Sequence, residues 1–349
     1  MRPRGAPTEA PLTVRRAPAD NSIDGLVAAG PIRPEAPLTS VARPGRTRAG
    51  RVAVSDPETN QPRFPDRPVR HFGGWRPLWE ALQDLATPFR WPVRLTDAIG
   101  WRSPVSLSLH AVTAPPGTLT RTVRIAFAAD FHAGPTTSTQ SLVEAASLLA
   151  AVEPDVLLYG GDFVSPTARH LPDLTAILRD LSAPGGCYAV LGNHDHYAGG
   201  RRVARDLETV GVRVLLNESA DLPPALGGLS IVGLDDHMTG YPDADAAFAA
   251  AGAARVLLIH QPSGLLDAGD HPYSLALAGH THGGQIATRA GWRPVLPHGP
   301  LSRVHPAGEY GLGDGRHLIV SRGVGCTTLP IRINAPPEVH LIEMRPAQP

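Results

Sequence analysis

The stretch TVRIAFAADFHAGPTTSTQSLVEAASLLAAVEPDVLLYGGD, residues 122–162, decides the fold. It opens with an apolar run of strand formers, 122–130, that closes on Asp130, with His132 two residues on. Residues 137–152 then switch to helical spacing behind Thr and Ser starters. Residues 155–162 return to an apolar run ending Gly-Gly-Asp. Strand, helix, strand is the alternation of an α/β domain with buried strands.

The same alternation runs onward. Helical spacing recurs at 168–181 and 201–211, the second closing on Gly211, a common helix stop. Strand-like runs recur at 186–195, 229–236, 254–262, 273–280, 316–323 and 338–344. The folded domain is therefore expected over 105–349. No repeat of fixed period interrupts it.

The N-terminal part reads differently. Residues 1–70 hold 12 of the 37 prolines and 12 of the 32 basic residues, all arginine. Such a segment cannot bury enough apolar surface to offset chain entropy, so a disordered extension is expected. Residues 71–104 hold four of the five tryptophans: Trp75, Trp79, Trp91 and Trp101. Trp75, Leu78, Trp79, Leu82, Leu85 and Ala86 follow helical spacing, and prolines at 77, 88 and 92 limit the helix to a few turns. Two readings of this amphipathic segment stand open: it packs on the domain, or it docks at a membrane surface, where tryptophan and arginine are favoured.

Totals exclude some classes. With 349 residues, a sizeable core is available, and 42% apolar content suits a globular chain. The 32 basic residues balance 32 acidic ones, which argues against nucleic acid as a partner. Cys187 and Cys326 form no metal-binding pair and are expected reduced. The start carries no apolar signal-peptide core, and no run reaches the ~18 apolar residues of a spanning helix. The expected location is cytoplasmic, with peripheral contact at the inner membrane face if 71–104 docks.

Polar residues fall where strands end. The first strand gives Asp130 and His132; the second, Asp162; the third, Asn193, His194 and Asp195 in GNHD. Later come His260 in LLIHQP and His280 with His282 in AGHTHGGQ. In open α/β sheets, sites form beyond the carboxyl ends of strands. Residues i and i+2 leave an extended chain on one side, so Asp130 and His132 can aim together. Gly160, Gly161, Gly279, Gly283 and Gly284 would let backbone pass close to a bound ion. Softer candidates are Asp235 and Asp236, explained as well by turn chemistry, and His196, His237 and His298 at a rim. Arg322 and Arg332 suit either phosphate binding or structural pairing.

The ordered set D-x-H, GGD, GNHD, H and GHTH over about 122–344 resembles the calcineurin-like metallophosphoesterase superfamily. GNHDHY, GHTHGGQ and the late SRGVGCTTLPIRINAPPEVHLIEM resemble its bacterial membrane-associated branch. The resemblance implies a four-layer α-β-β-α sandwich of two mixed sheets flanked by helices. It implies two divalent metal ions, one on Asp130, His132, Asp162 and His282, the other on Asp162, Asn193, His260 and His280. Such mixed ligands suit manganese, iron or zinc. It implies hydrolysis of a phosphoester by a metal-bridging hydroxide in line with the leaving group, assisted by His194. Two divalent ions less two carboxylates and one hydroxide leave about +1 for an anionic substrate. Asp195 is expected either to hold the His194 ring or to serve as a loop or helix-start residue. The expected partner is a phosphorylated small molecule or lipid. Alternatives are a lipid-linked pyrophosphate hydrolase at the membrane surface and a non-catalytic scaffold of the same fold.

Overall fold

The alternation of 122–130 appears as a strand with two buried faces. The computed structural model describes residues 90–347 other than 166 and 298, together with 69, 70, 82, 85 and 87. The rest of the N-terminal extension and of 71–89, with Trp75 and Trp79, lies outside the described residues, as does His298. Six strands form the first sheet in the order β1 (Ser106–Thr113), β12 (Glu338–Arg345), β2 (Val123–Ala128), β3 (Val156–Tyr159), β4 (Cys187–Ala189), β5 (Val212–Val214). The pairs β1–β12, β2–β3, β3–β4 and β4–β5 are parallel; β12–β2 is antiparallel. The second sheet runs β10 (Gly308–Gly313), β11 (Arg316–Val320), β9 (Leu275–Ala278), β8 (Ala254–Leu258), β7 (Leu229–Gly233), β6 (Glu218–Asp221). Its four inner strands are parallel and its two edge strands antiparallel.

Period-two side chains divide each strand between two cores. In β2, Val123, Ile125 and Phe127 enter the layer between the sheets, while Ala126 and Ala128 face helices. From the other sheet, Val256, Leu258, Leu275, Leu277 and Ile319 meet them in that layer. Leu257, Ala276 and Leu318 face outward to a third core. This is the expected four-layer sandwich of two mixed sheets.

Helices cover both outer faces. On the first sheet lie α2 (Thr139–Ala151), α3 (Leu171–Leu178) and α5 (Gly200–Glu208). In α2, Leu142, Ala145, Ala146 and Leu149 recur at helical spacing and are buried, and the Ser138 side chain caps the amide of Gln140. The run expected as one helix over 168–181 is a single 3-10 turn, Ala168–His170, followed by α3, whose first turn carries Pro172. The second sheet is covered by α6 (Ala244–Phe248) and α7 (Gly264–Ala268).

Of the tryptophan-rich segment, α1 (Trp91–Ala98) buries Val93 and Thr96. It is tied to the start of α2 by Ser138 Oγ donating to Asp97 Oδ2 at 2.8 Å. Trp91, Leu95 and Trp101 are exposed. Among the described residues, no helix is long and apolar enough to cross a membrane. Cys187 and Cys326 are free thiols.

Candidate metal centre

The carboxyl ends of β2, β3 and β4 meet those of β8 and β9, and every residue singled out at a strand end arrives there. Pairing continues past the strands. Asp130 N donates to Gly161 O at 2.9 Å, and His132 N to Asp162 O at 3.0 Å. The sheets are joined across the site by His280 N, which donates to both Asp130 oxygens at 3.0 and 2.9 Å. A short helix, α4 (Asn193–Tyr197), begins at the floor; His194 N donates to Asp162 Oδ1 at 2.8 Å.

Close backbone approach to the carboxylate oxygens is required at Gly279 and Gly192, among others. A Cβ on Gly279 would overlap Asp130 Oδ2 and stand 2.7 Å from Ala129 Cβ. A Cβ on Gly192 would overlap Asp162 Oδ1 and stand 2.7 Å from His260 Cε1. Gly279 is legible in AGHTHGGQ; the constraint on Gly192 has no counterpart in the local sequence. Strain also gathers here. Asp130, His132, Asp162, His280 and His282 all adopt positive φ, between 41° and 71°. Each such non-glycine residue costs on the order of 1–3 kcal/mol, held by the surrounding fold.

Asp130, His132, Asp162, Asn193, His260, His280 and His282 are all buried, none more than 5% exposed. Three sets of donor atoms lie within 4.8 Å of one another: Asp130, His132 and His282; His132, Asp162 and His194; Asp162, His260 and His280. Asp162 belongs to two of these sets, and its Oδ2 lies 3.5 Å from His132 Nε2 and 3.3 Å from His260 Nε2. His132 Nε2 and His282 Nε2 are 3.0 Å apart.

The donor chemistry fits a cation. His260 Nδ1 lies 2.8 Å from Gly160 O, a pure acceptor, so Nδ1 carries the hydrogen. Its Nε2 lies 3.2 Å from Asn193 Oδ1, 3.1 Å from His280 Nδ1 and 3.3 Å from Asp162 Oδ2. Carboxylate, amide and imidazole groups converging in a dry site are stabilised by positive charge among them. The titration tendencies show the same demand for positive charge. Burial opposes charge on His260, but Asp162, Asp130 and Asp236 push its pKa up to about 10. Burial holds His132 and His282 well below their usual range, and pushes Asp130 up. Burial acts to raise Asp162 too, but His260, His194 and His132 hold it well below the carboxylate range.

His194 is half-buried, its ring edge-on to His132 at 4.8 Å and its Nδ1 3.4 Å from Ser165 Oγ. Asp195 is turned toward the backbone. Oδ1 accepts from Phe163 N at 2.8 Å and Val164 N at 3.3 Å, and Oδ2 from Gly192 N at 2.9 Å. Of its two expected roles, these contacts are those of a residue that shapes the loop under Asp162. Asp235 and Asp236 likewise bind loop amides, at Tyr241 and Thr239. The two arginines are engaged by protein groups. Arg322 pairs with Glu338, while Arg332 donates to Gly325 O and Ala335 O and backs the His282 ring, 3.2 Å from Nδ1. His196 bonds Asp235 and His237 bonds Asp267.

Residues 123–284 match the family profile of calcineurin-like phosphoesterases. A metallophosphoesterase of Bacillus subtilis, YkuE, is 35% identical over 199 residues, covering 55% of this chain and 68% of its own length. The chain belongs to the calcineurin-like phosphoesterase family. The phosphodiesterase YaeI of Escherichia coli is 29% identical, covering 63% of this chain and 82% of its own. A solved 5'-nucleotidase precursor from Thermus thermophilus superposes with a TM-score of 0.40 at 16% identity, over 58% of this chain and 49% of that one. Membership of this calcineurin-like family makes the chain a metal-dependent phosphoester hydrolase, and the buried His and Asp groups are its candidate metal-binding clusters.

Proposed function

We propose that the chain hydrolyses phosphoesters at a binuclear centre. One cation would be held by Asp130, His132, Asp162 and His282, the other by Asp162, Asn193, His260 and His280. The observation that carries this reading is the sharing of Asp162 between His132 on one side and His260 on the other. Imidazole, carboxylate and amide donors favour manganese, iron or zinc over calcium. Two such cations, when bound, supply a deprotonated water near neutral pH and neutralise phosphoryl charge.

The remaining tasks fall to this chain's own groups. Asn193 gives an oxygen without a charge, so the donor set keeps a positive excess that attracts a phosphate. His280 N, Gly161 O and the Gly192 close approach fix the two carboxylates before substrate arrives, so no reorganisation is needed during reaction. His194 lines the cavity above Asp162 and is in place to give a proton to the leaving oxygen or to bond a phosphoryl oxygen. Ser165 Oγ orients its Nδ1.

The test is turnover of bis-p-nitrophenyl phosphate by manganese-loaded protein. His194→Ala should keep its metal and lose roughly 10²–10⁴-fold in kcat. Asp162→Asn should lose both metal and turnover. Activity surviving in Asp162→Asn would refute the reading.

A further inference from the structure

The candidate centre lies at the floor of a cavity of about 1060 Å³. That is at or above the upper end of small-ligand pockets, and far more than a phosphate needs. Asp162, Asn193, His194, His280 and His282 line one end of it. Much of the remaining wall is aliphatic, formed by Met238, Ile286, Val295, Leu296, Pro300 and Leu329 with neighbouring prolines, and Thr281, Gln285, Thr327 and Thr328 supply its uncharged polar groups. Val295 is 72% exposed and Leu329 49%, so apolar side chains continue to the rim.

What the wall lacks narrows the occupant. Among its described residues there is no Phe, Tyr or Trp, and no arginine. The chain has no lysine at all. A nucleotide base would be stacked on an aromatic ring. A second phosphate would be met by an arginine fork or an ammonium. The imidazole at the rim, His237, is already bonded to the Asp267 carboxylate at 2.7 Å. Gln261, also in the lining, is 1% exposed and its Nε2 is bonded to Asp236.

We infer that the substrate is a phosphoester carrying a long aliphatic arm, and that this arm lies along Ile286, Leu296, Pro300 and Leu329 while its phosphate sits over the metal donors. The inference rests on the hydrolase reading above. In the reaction one water is consumed. Its oxygen bonds phosphorus, one ester P–O bond breaks, and that alcohol oxygen leaves with a proton. Apolar walls reward each methylene removed from water, which makes chain length the readout.

The experiment uses the full chain loaded with manganese and p-nitrophenyl phosphodiesters bearing methyl, butyl and octyl arms, all below micelle formation. The kcat/KM should rise on the order of threefold per methylene, mainly through KM. In parallel, calorimetry of methyl-, butyl- and octylphosphonate should show affinity rising along the same series. Leu296→Asp and Ile286→Asp should flatten both slopes. A methyl ester hydrolysed as well as the octyl ester, with flat phosphonate binding, would overturn the inference and leave the hydrolase reading intact. Graded phosphonate binding without hydrolysis of any ester would support the groove and refute the hydrolase. Preference for a nucleoside ester over the octyl ester would overturn the inference. So would flat slopes with a dimer that Leu296→Asp dissociates, since a second copy would then own the groove.

Discussion

Gly192→Ala isolates the close approach of backbone to the shared carboxylate. Gly192 has φ −100° and ψ 177°, an extended conformation that alanine adopts without strain. The whole effect must therefore come from the added Cβ. That atom would overlap Asp162 Oδ1 and stand 2.7 Å from both the Asp162 amide nitrogen and His260 Cε1. Ordinary contacts begin near ~3.5 Å, so the loop, the shared carboxylate or the His260 ring must move by on the order of 1 Å. Displacement of that size in a catalytic array costs about 10²-fold in rate. Overpacking adds about 1–3 kcal/mol of destabilisation. The assay is kcat for bis-p-nitrophenyl phosphate, with metal content and urea unfolding measured on the same sample. Gly311→Ala is the control, because a Cβ there meets nothing within 4 Å and its φ is not positive. A Gly192→Ala enzyme with wild-type turnover and metal content would refute the reasoning.

Asp195→Ala should cost about 3 kcal/mol or more in urea unfolding, since Phe163, Val164 and Gly192 amides lose their acceptor in a buried loop, and Asp195→Asn should recover much of it. Unchanged stability with a shifted pH profile of kcat would instead assign Asp195 to the His194 ring. Glu338 tests acid stability: burial pushes its pKa up, but His340 and Arg322 outweigh this and bring it from 4.5 to about 2. A depressed carboxylate stabilises above its unfolded pKa and loses that contribution as pH falls from 4.5 toward 2. The gap in unfolding free energy between wild type and Glu338→Gln should thus shrink from about 3 kcal/mol at pH 7 to near zero at pH 2. A gap independent of pH would contradict it. Phe127→Ala, between the sheets and fully buried, should cost about 3–5 kcal/mol by the same assay, and a loss under 1 kcal/mol would mean that the layer repacks.

The candidate donors were legible because each follows an apolar run directly. Asp130, Asp162 and His280 stand within three residues of the last paired strand residue, so strand ends could be read from hydrophobicity alone. The edge strands were not legible. β6 (ESAD) and β10 (GEYGLG) are polar or glycine-rich, and β1 alternates exposed with half-buried positions, because an edge strand has little to bury. Gly192 is illegible for another reason. Its constraint comes from Asp162 and His260, which lie 30 and 68 residues away and meet it only in the fold. Ser165 and Gln261 act through contacts of the same kind, with no local signal, whereas Arg332 is legible as an arginine of two possible roles and takes the structural one. Asp195 was legible as a helix-start residue, and its bonds to three loop amides arise from that position.

The account turns on a carboxylate gripped from two sides. Anomalous X-ray scattering from crystals grown with manganese measures it most directly. Two peaks flanking the Asp162 side chain, both absent in Asp162→Asn, are expected. One peak, or peaks that persist in the variant, would contradict the binuclear centre.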